Sequence, residues 1–350
     1  MQNFILAHRY FHFSLSRWEA AFREGPPTDS ELEKLFREDI FPRRCLKWEF
    51  PRTLEEAREM HLLLLEKELR EGVSYLCEGG ADYPPAILSH VPPERRPAVI
   101  YQRGAPLPSE AEMLAVVGTR SPSGDGIEAA RSFASFFTLL RIHVVSGLAK
   151  GIDTLAHREN LSAGTIAVLG SAVGDIYPLE NQTLSEEILA RGGTLLSPFP
   201  TGQVPLPANF PQRNELIAAL ATGTLVVEGA EKSGAAITGK LALAMGKSVA
   251  VLSADFRTAF GRGAVRLAQA GAEFVLDEEE ALQTLYARLG GFLTGELPMP
   301  ETARRKKSFS LNEFCRRSGF DLPAALSLLQ EEILKGRIVR TGPDRYQRRP

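Results

Sequence analysis

The stretch AVVGTRSPSGDGIEAARSFASFFTLLRIHVVSG, residues 115–147, decides the fold. An apolar run is followed by a glycine-rich turn, a segment of helical spacing over 127–140 and a second apolar run over 143–147. Two apolar strands joined through a helix form neighbouring parallel strands in a sheet that helices cover on its faces. The stretch therefore predicts a βαβ unit.

The same alternation continues along the chain. Further β-rich runs, separated by helical patterns such as 215–221, lie at 165–170, 194–199, 224–229, 248–253 and 273–277. We predict that residues 111–287 form an α/β domain with an extended Rossmann-like, doubly wound and mostly parallel sheet. Such sheets bind ligands at the carboxyl ends of their strands, where the strand order switches.

The segments before this sheet have a different pattern. Residues 1–75 are predicted to form an N-terminal helical domain, with helical spacing over 32–41 and 54–71 and Thr53 as an N-cap. The sheet domain is assigned residues 76–288. The proline-rich segment between roughly residues 72 and 110 is predicted to be an extended strap that leads into the sheet.

The segments after the sheet are predicted to be a linker and a small module. Residues 289–304 lack periodicity and are assigned as the linker. Residues 305–350 show two helical patterns and then an alternating hairpin around Thr341–Asp344, which predicts a winged-helix domain. A small helical hairpin with a tail is the alternative.

Composition limits the class of protein. The chain has 350 residues, a net charge of −2 and three scattered cysteines without a CxxC pair, which predicts a reduced, cytoplasmic protein with no metal site. It has no apolar run of membrane-spanning length and no signal-peptide pattern, so no membrane contact is expected. Residues 301–350 carry twelve basic and six acidic residues, which fits an anionic partner or a solvated tail equally well.

Small residues and single basic side chains follow the predicted strands, at GTR (118–120), SGLAKG (146–151), GSAVG (170–174) and GAEKSG (229–234). Glycine lets backbone N–H groups approach a ligand, and the start of the following helix favours an anion. We interpret these turns as phosphate-binding, with ordinary turn chemistry as the alternative. No GxGxxG fingerprint is present, and Gly246-Lys247-Ser248 lies between a helix and a following strand, the wrong order for a Walker A loop. No nucleotide cofactor is therefore expected.

Two further groups of residues are candidates for function. Asp153 and His157 share a helix face, but no nucleophile or metal motif accompanies them, so we interpret them as structural rather than catalytic. Phe210 and Arg213 are predicted to lie on an irregular lead-in that Pro211 holds before the next helix. An aromatic ring beside an arginine suits single-stranded nucleic acid; a core phenylalanine and a salt-bridged arginine are equally compatible.

Six segments together resemble the DNA-processing protein A family (DprA, also called Smf). They are VVGTRSPSGDG, SGLAKGIDTLAH, TIAVLGSAVGDIYPLEN, FPQRNELIAAL, VVEGAEKSGAAIT and GAEFVLD, spread over roughly residues 80–287. The resemblance implies a homodimeric protein that binds single-stranded DNA without sequence preference. It also implies that the protein protects incoming DNA and loads the RecA recombinase during natural transformation, with no catalytic turnover and no cofactor.

The phosphate-binding turns and the resemblance together predict which residues bind DNA. These are Gly118, Thr119, Arg120, Ser146, Gly147, Lys150, Gly151, Phe210, Arg213, Asn214, Ser233 and Gly234, with Asp153 and His157 as structural support. The chain departs from the family pattern at Leu179, where lysine is frequent, at Glu215, where arginine is usual, and at 253–255, where a Pro-Gly turn is common. Its first seventy residues match the family's N-terminal module poorly.

Two other functions remain open at this level. The fold is related to nucleotide phosphoribohydrolases, in which Glu228 would be the acid/base residue, although their PGGxGT turn does not occur in this chain. Alternatively, the winged helix reads duplex DNA and the protein is a regulator.

Overall fold

The computed structural model describes residues 2–21, 27–38, 40, 42–252 and 257–286, together with the backbone of 338–342 and 345–348. In these residues nine strands form one sheet: β1 Val73–Cys77, β2 Val99–Gly104, β3 Met113–Val117, β4 His143–Ser146, β5 Ile166–Val168, β6 Thr194–Ser197, β7 Gly223–Val226, β8 Ser248–Leu252 and β9 Glu273–Val275. The helices are α1 Gln2–Tyr10, α2 Leu15–Ala21, α3 Asp29–Arg37, α4 Leu54–Arg70, α5 Pro85–His90, α6 Gly124–Leu139, α7 Ile152–Glu159, α8 Gln182–Ala190, α9 Asn209–Leu220, α10 Gly234–Ala244, α11 Ala259–Gln269 and α12 Glu278–Tyr286.

The predicted doubly wound sheet is confirmed. Its strand order in space is β1-β2-β6-β5-β4-β3-β7-β8-β9. Within this order, every neighbouring pair from β6-β5 through to β8-β9 is parallel. The chain builds outward from β3 to β6 and then returns to place β7 on the other side of β3. The strand order therefore switches between β3 and β7, and β3 is buried along its length. All seven predicted strands are present.

The proline-rich lead-in differs from its prediction as an extended strap. It contains β1 and β2, which pair antiparallel with each other, and β2 adds antiparallel to β6. The prolines lie outside both strands: Pro85 opens α5 and Pro93 opens a short 3-10 helix between them, positions where a missing N–H costs no hydrogen bond. Pro106 and Pro108 follow β2, so proline is confined to the connecting segments and both strands remain regular.

The N-terminal helices pack directly onto the sheet. Phe4 and Tyr10 share one hydrophobic cluster with Tyr101 of β2 and Leu195 of β6. Arg9 pairs with Glu68 at 2.6 Å in the same interior. The predicted helix over 54–71 is present as α4, and the N-cap side chain accepts a hydrogen bond from the Glu56 N–H at 3.2 Å. The helix predicted over 32–41 is present as α3, which begins earlier, at Asp29, and ends at Arg37. The boundary at residue 75 stays a prediction.

At the C-terminus, β10 Ile338–Gly342 and β11 Arg345–Arg348 pair antiparallel. The predicted hairpin is therefore confirmed. The linker and the two helices of the predicted winged-helix domain lie outside the described residues, as does the segment 253–255. Within the described residues, no helix has the length and apolar character needed to cross a membrane.

Candidate nucleic-acid interface

The glycine-containing turns predicted to bind phosphate lie at one edge of the sheet. Strands β3, β4, β5 and β7 are parallel, so their carboxyl ends share this edge. Helix α6 follows β3 with Ser123 as its N-cap, α7 follows β4, and α10 follows β7 with Ser233 as its N-cap. Several helix starts therefore point their unpaired N–H groups toward one surface.

A partly exposed aromatic pair and an arginine form the centre of this edge. The guanidinium carbon of Arg120 lies 5.7 Å from the ring centroid of Phe210, and the Tyr177 ring lies 5.7 Å from the same ring. Tyr177 is 47% exposed and Phe210 is half-buried. We call Arg120, Tyr177 and Phe210 the aromatic–arginine cluster. It offers ring faces for stacking beside a cation, which is the chemistry that binds unpaired nucleotides.

A close approach of helix to strand sets the position of Phe210. Its ring lies over Gly170, where an added Cβ would lie 2.8 Å from the ring. Any larger side chain at residue 170 would therefore push the ring outward. Contrary to the predicted irregular lead-in, Phe210 and Arg213 lie in the first turns of α9, which begins at Asn209. Pro211 is compatible with this because the first helical N–H groups have no intrahelical acceptor.

Arg213 is buried beneath the cluster. The residue is only 4% exposed, and its Nη1 donates to the carbonyl oxygens of Gly147 and, at 2.5 Å, Val168. Nε donates to the side-chain oxygen of Asn214 at 3.0 Å. Burial lowers the pKa of Arg213 to about 10, so the group stays charged at neutral pH. Arg213 thus joins the ends of β4 and β5 and places a fixed positive charge under the surface.

The SGLAKG turn is held from within the protein. The Asp153 carboxylate accepts from the Gly147 N–H at 3.1 Å and the Ala149 N–H at 3.4 Å. Burial raises the pKa of Asp153, and the nearby Arg213 opposes that rise. His157 Nε2 accepts from the Leu148 N–H at 3.3 Å, which leaves Nδ1 to donate to a threonine hydroxyl at 2.8 Å.

Neither member of this pair is free for acid–base catalysis. Burial lowers the pKa of His157 to about 3, so the ring is neutral at physiological pH. Both side chains use their acceptors on backbone N–H groups of the turn. Leu148 and Gly151 have positive φ angles of 54° and 80°, a backbone shape that local hydrogen bonds must hold. The pair occupies the positions that a structural support requires.

Lys150 projects from this turn and pairs with an acidic side chain. Its ammonium group donates to the carboxylate of Glu180, and both side chains are more than half exposed. The hydrogen bond from Lys150 lowers the pKa of Glu180. Leu179, where the family frequently has lysine, is 75% exposed and contributes no charge. An anionic ligand at Lys150 therefore competes with Glu180 for the same ammonium group.

The remaining predicted residues divide by exposure. Ser146 is fully buried and donates to the Val116 carbonyl at 2.6 Å, and buried Asn214 donates to the Gly234 carbonyl at 3.2 Å. With Gly147 and Arg213 they form a scaffold under the turns. The predicted residues with surface exposure are Gly118, Thr119, Arg120, Lys150, Gly151, Phe210, Ser233 and Gly234. Sequence reasoning missed Tyr177, although it follows the turn after β5 and so belongs to the same edge.

Glu228 occupies the start of α6. Its carboxylate accepts from the N–H of Ser123 at 3.0 Å and from the hydroxyl of the same residue. A Rossmann cofactor places its phosphate at the start of the helix after the first strand, and a carboxylate there repels it.

Lys247 donates to two main-chain carbonyls and pairs with Glu110 at 2.8 Å, so it is a buried structural lysine and not a phosphate ligand. Among the described residues, no group of three or more metal-ligating side chains is present.

Comparison with known proteins relates the chain to one family. The sequence profile described as DNA recombination-mediator protein A matches residues 74–286. Protein Smf of Escherichia coli is 36% identical over 205 residues, which cover 58% of this chain and 54% of that protein. DNA processing protein DprA of Bacillus subtilis is 32% identical over 221 residues, 62% of this chain and 73% of that protein. The match thus spans only about half the length of the Escherichia coli relative.

Two solved structures share the fold. DNA processing protein A of Streptococcus pneumoniae aligns with a TM-score of 0.59 and 26% identity, over 81% of this chain and 93% of that chain. DNA processing protein A of Helicobacter pylori aligns with a TM-score of 0.54 and 24% identity, over 62% of this chain and 96% of that chain. The second structure is described by its single-stranded DNA binding mode, and at this identity the likeness shows the fold alone.

Proposed function

The chain belongs to the DNA recombination-mediator protein A family, and we propose that it binds single-stranded DNA without sequence preference at the carboxyl edge of its sheet. The observation that carries the proposal is the aromatic–arginine cluster, where Arg120 lies over the face of an accessible Phe210 beside Tyr177. Unpaired bases stack on such rings regardless of sequence, whereas bases in a duplex present no free face.

The chemistry of binding follows from the two kinds of cation at the edge. Arg120 is exposed and can pair with a phosphate while a base stacks on the neighbouring rings. Lys150 binds the next phosphate after Glu180 has been displaced, and this exchange makes binding sensitive to salt. Buried Arg213 keeps its protein partners when DNA binds, but its positive charge favours an anion above the turn.

The protein acts in this proposal without chemical turnover. Asp153 and His157 are committed to the backbone of the turn, and Glu228 is committed to the start of α6. A phosphoribohydrolase would need Glu228 free to exchange a proton with a bound nucleotide. The Ser123 contacts oppose that role, so the enzyme is the less favoured function.

The biological setting is part of the same proposal and rests on the family. We infer that the protein is a cytoplasmic homodimer that protects incoming single strands and loads the RecA recombinase during natural transformation. The support is the family match over residues 74–286 together with a surface suited to unpaired nucleotides. A loader must release its strand to the recombinase, and an exposed, salt-sensitive site is suited to such release.

Fluorescence anisotropy with labelled oligo-dT and a matched duplex, across a salt series, tests the proposal. We expect tight, salt-sensitive binding of the single strand and weak binding of the duplex. The double variant Arg120→Gln/Lys150→Gln should lower the salt slope by about 0.7 for each phosphate that is no longer neutralised. Arg191→Gln, an exposed arginine after α8 at the opposite edge, is the matched control. Equal affinity for both DNA forms, or free base released from nucleoside monophosphates, would contradict the proposal.

A further inference from the structure

A cavity lined by arginines shares the start of α9 with the aromatic–arginine cluster. It has a volume of about 450 Å³ and is bounded by the α1–α2 turn, by the segment around Arg95 and Arg96, and by the start of α9. Pro211 and Gln212 of α9 line it, and they directly follow Phe210 of the cluster. We call this cavity the N-terminal cleft. The start of α9 is therefore shared, with Phe210 in the cluster and the next two residues in the lining of the cleft.

Four guanidinium groups and two carboxylates line the N-terminal cleft. Arg95 pairs with Glu215 at 2.9 Å. Glu215, which stands where the family usually has arginine, therefore neutralises the charge of Arg95. Arg96 pairs with Glu78 at 3.5 Å. These two cations are compensated within the protein. The second lining carboxylate, that of Glu94, is exposed.

The other two cations, Arg17 and Arg44, have no carboxylate partner among the described residues. Arg17 is exposed, and its guanidinium makes no ion pair there. Arg44 is 6% exposed and directs Nε to the His8 carbonyl at 2.7 Å and Nη1 to the amide oxygen of Gln203 at 2.6 Å. Burial lowers the pKa of Arg44 to about 10, which still leaves it charged. The four arginines face the carboxylates of Glu78, Glu94 and Glu215, which leaves one net positive charge at the cleft.

The histidines of the cleft do not contribute charge. Burial lowers the pKa of His12 to about 3 and holds the pKa of His8 well below its usual value. Both rings are neutral at physiological pH, so the positive field comes from arginine alone and does not depend on pH near neutrality. Arginine forks match phosphate geometry, and a cavity of this volume admits a nucleotide.

We propose that the N-terminal cleft is a second anion site that binds the sugar–phosphate backbone of nucleotides flanking those held at the aromatic–arginine cluster. The inference rests on the proposed single-stranded DNA binding and adds a path for the strand. Arg17 is its accessible phosphate ligand, and Arg44 supplies a buried charge beneath. The N-terminal helices thereby become part of the DNA-binding surface.

Oligonucleotide length separates the two sites. The test is binding of the full chain to oligo-dT of about 5 and about 20 nucleotides, because single-stranded-DNA sites in OB-fold proteins cover roughly 4 to 16 nucleotides and the two lengths lie near and beyond those limits. Arg17→Gln should leave the short oligonucleotide unaffected. It should weaken the long one about two- to fivefold at low salt and lower its salt slope by about 0.7. Arg191→Gln, with the same charge change at the far edge of the sheet, should bind both lengths like the wild type.

A second variant tests the cleft without altering the N-terminal helices. Gln212→Glu places a negative charge in the first turn of α9, where a carboxylate favours the helix. We expect unchanged or higher thermal stability together with weaker binding of the long oligonucleotide. Loss of affinity from misfolding would instead be accompanied by a lower melting temperature, so circular dichroism distinguishes the two causes.

The outcomes separate this inference from the function on which it rests. If the wild type binds both lengths and both variants bind the long one like Arg191→Gln, the cleft is off the path and the inference fails alone. If Arg17→Gln weakens both lengths equally, the sites are not separate and the inference is wrong. If Arg17→Gln weakens only the binding of thymidine monophosphate, the cleft is a small-molecule site and the inference is again wrong. If the wild type binds no oligo-dT, the proposed function and the inference fall together.

Discussion

Replacing Arg213 by methionine is the sharpest test of how the site is built. The change keeps much of the length of the side chain and removes its charge and donors. Two buried carbonyl oxygens, of Gly147 and Val168, are then deprived of the donor that Arg213 supplies. Each such unsatisfied group costs about 1–3 kcal/mol, and Asp153 is also left without its neighbouring cation. We expect the free energy of unfolding to fall by about 3–5 kcal/mol.

The destabilisation caused by Arg213→Met should increase with pH. Burial already raises the pKa of Asp153 in the folded protein, and removal of Arg213 raises it further. A carboxyl group whose folded pKa lies above its unfolded value favours folding more as the pH falls. The difference between Arg213→Met and the wild type should therefore be larger at pH 7 than at pH 5. Urea denaturation followed by far-ultraviolet circular dichroism at both pH values measures it.

Arg120→Met is the matched control, because Arg120 is exposed and its guanidinium carbon lies 5.7 Å from the Phe210 ring centroid, whereas that of buried Arg213 lies 6.0 Å from the same centroid. Its free energy of unfolding should stay within about 0.5 kcal/mol of the wild type while its affinity for oligo-dT falls. An Arg213→Met variant that unfolds like the wild type and yet no longer binds DNA would refute this reasoning. Arg213 would then be a direct phosphate ligand and not the buried link between β4 and β5.

Three further predictions concern other parts of the site. Tyr177→Ala should weaken oligo-dT binding by about 1–3 kcal/mol while Tyr177→Phe retains it, measured by anisotropy; equal weakening would exclude stacking. Glu180→Gln should strengthen binding at low salt by freeing Lys150, whereas Glu186→Gln on α8 should not; identical isotherms would contradict the competition. The folded pKa of His157, about 3, lies below the ordinary value of 6.5, so its contribution to stability is complete above pH 6.5 and is lost as pH falls toward 3. His157→Gln should lower the slope of unfolding free energy against pH in that window by up to about 1.4 kcal/mol per unit, and an unchanged slope would show that the ring is not neutral in the fold.

Sequence patterns predicted the parallel sheet because each strand of β3–β9 is a short apolar run between helical segments. The same approach missed β1 and β2, since the prolines between them dominate the composition of that segment. It also placed the start of α9 too late, because Pro211 is a helix breaker in the interior but is accommodated in a first turn. Sequence patterns fail at these points because they do not show whether a proline lies at the start or in the interior of an element, which the fold decides.

The position of the site could be predicted more completely than the roles of its residues. Glycine turns after parallel strands must share an edge, so the sequence could place Arg120, Lys150 and Phe210 together. Whether a cation points outward or inward depends on the packing of α9 against β4 and β5, which no local pattern encodes. Sequence reasoning therefore treated Arg213 as a ligand, and its carbonyl partners, 45 and 66 residues away in sequence, became visible only in the structure.

The division of cations into exposed and buried groups has a functional consequence. An exposed arginine must give up water and counterions to bind a phosphate, and it releases the phosphate again when salt or a competitor intervenes. A buried arginine held by carbonyl oxygens contributes a constant field and keeps the turn in shape. Placing Arg213 under the site and Arg120 on it gives attraction without a permanent bond. That combination suits the proposed transfer of a strand to a recombinase, because each strong interaction at the surface would slow the transfer.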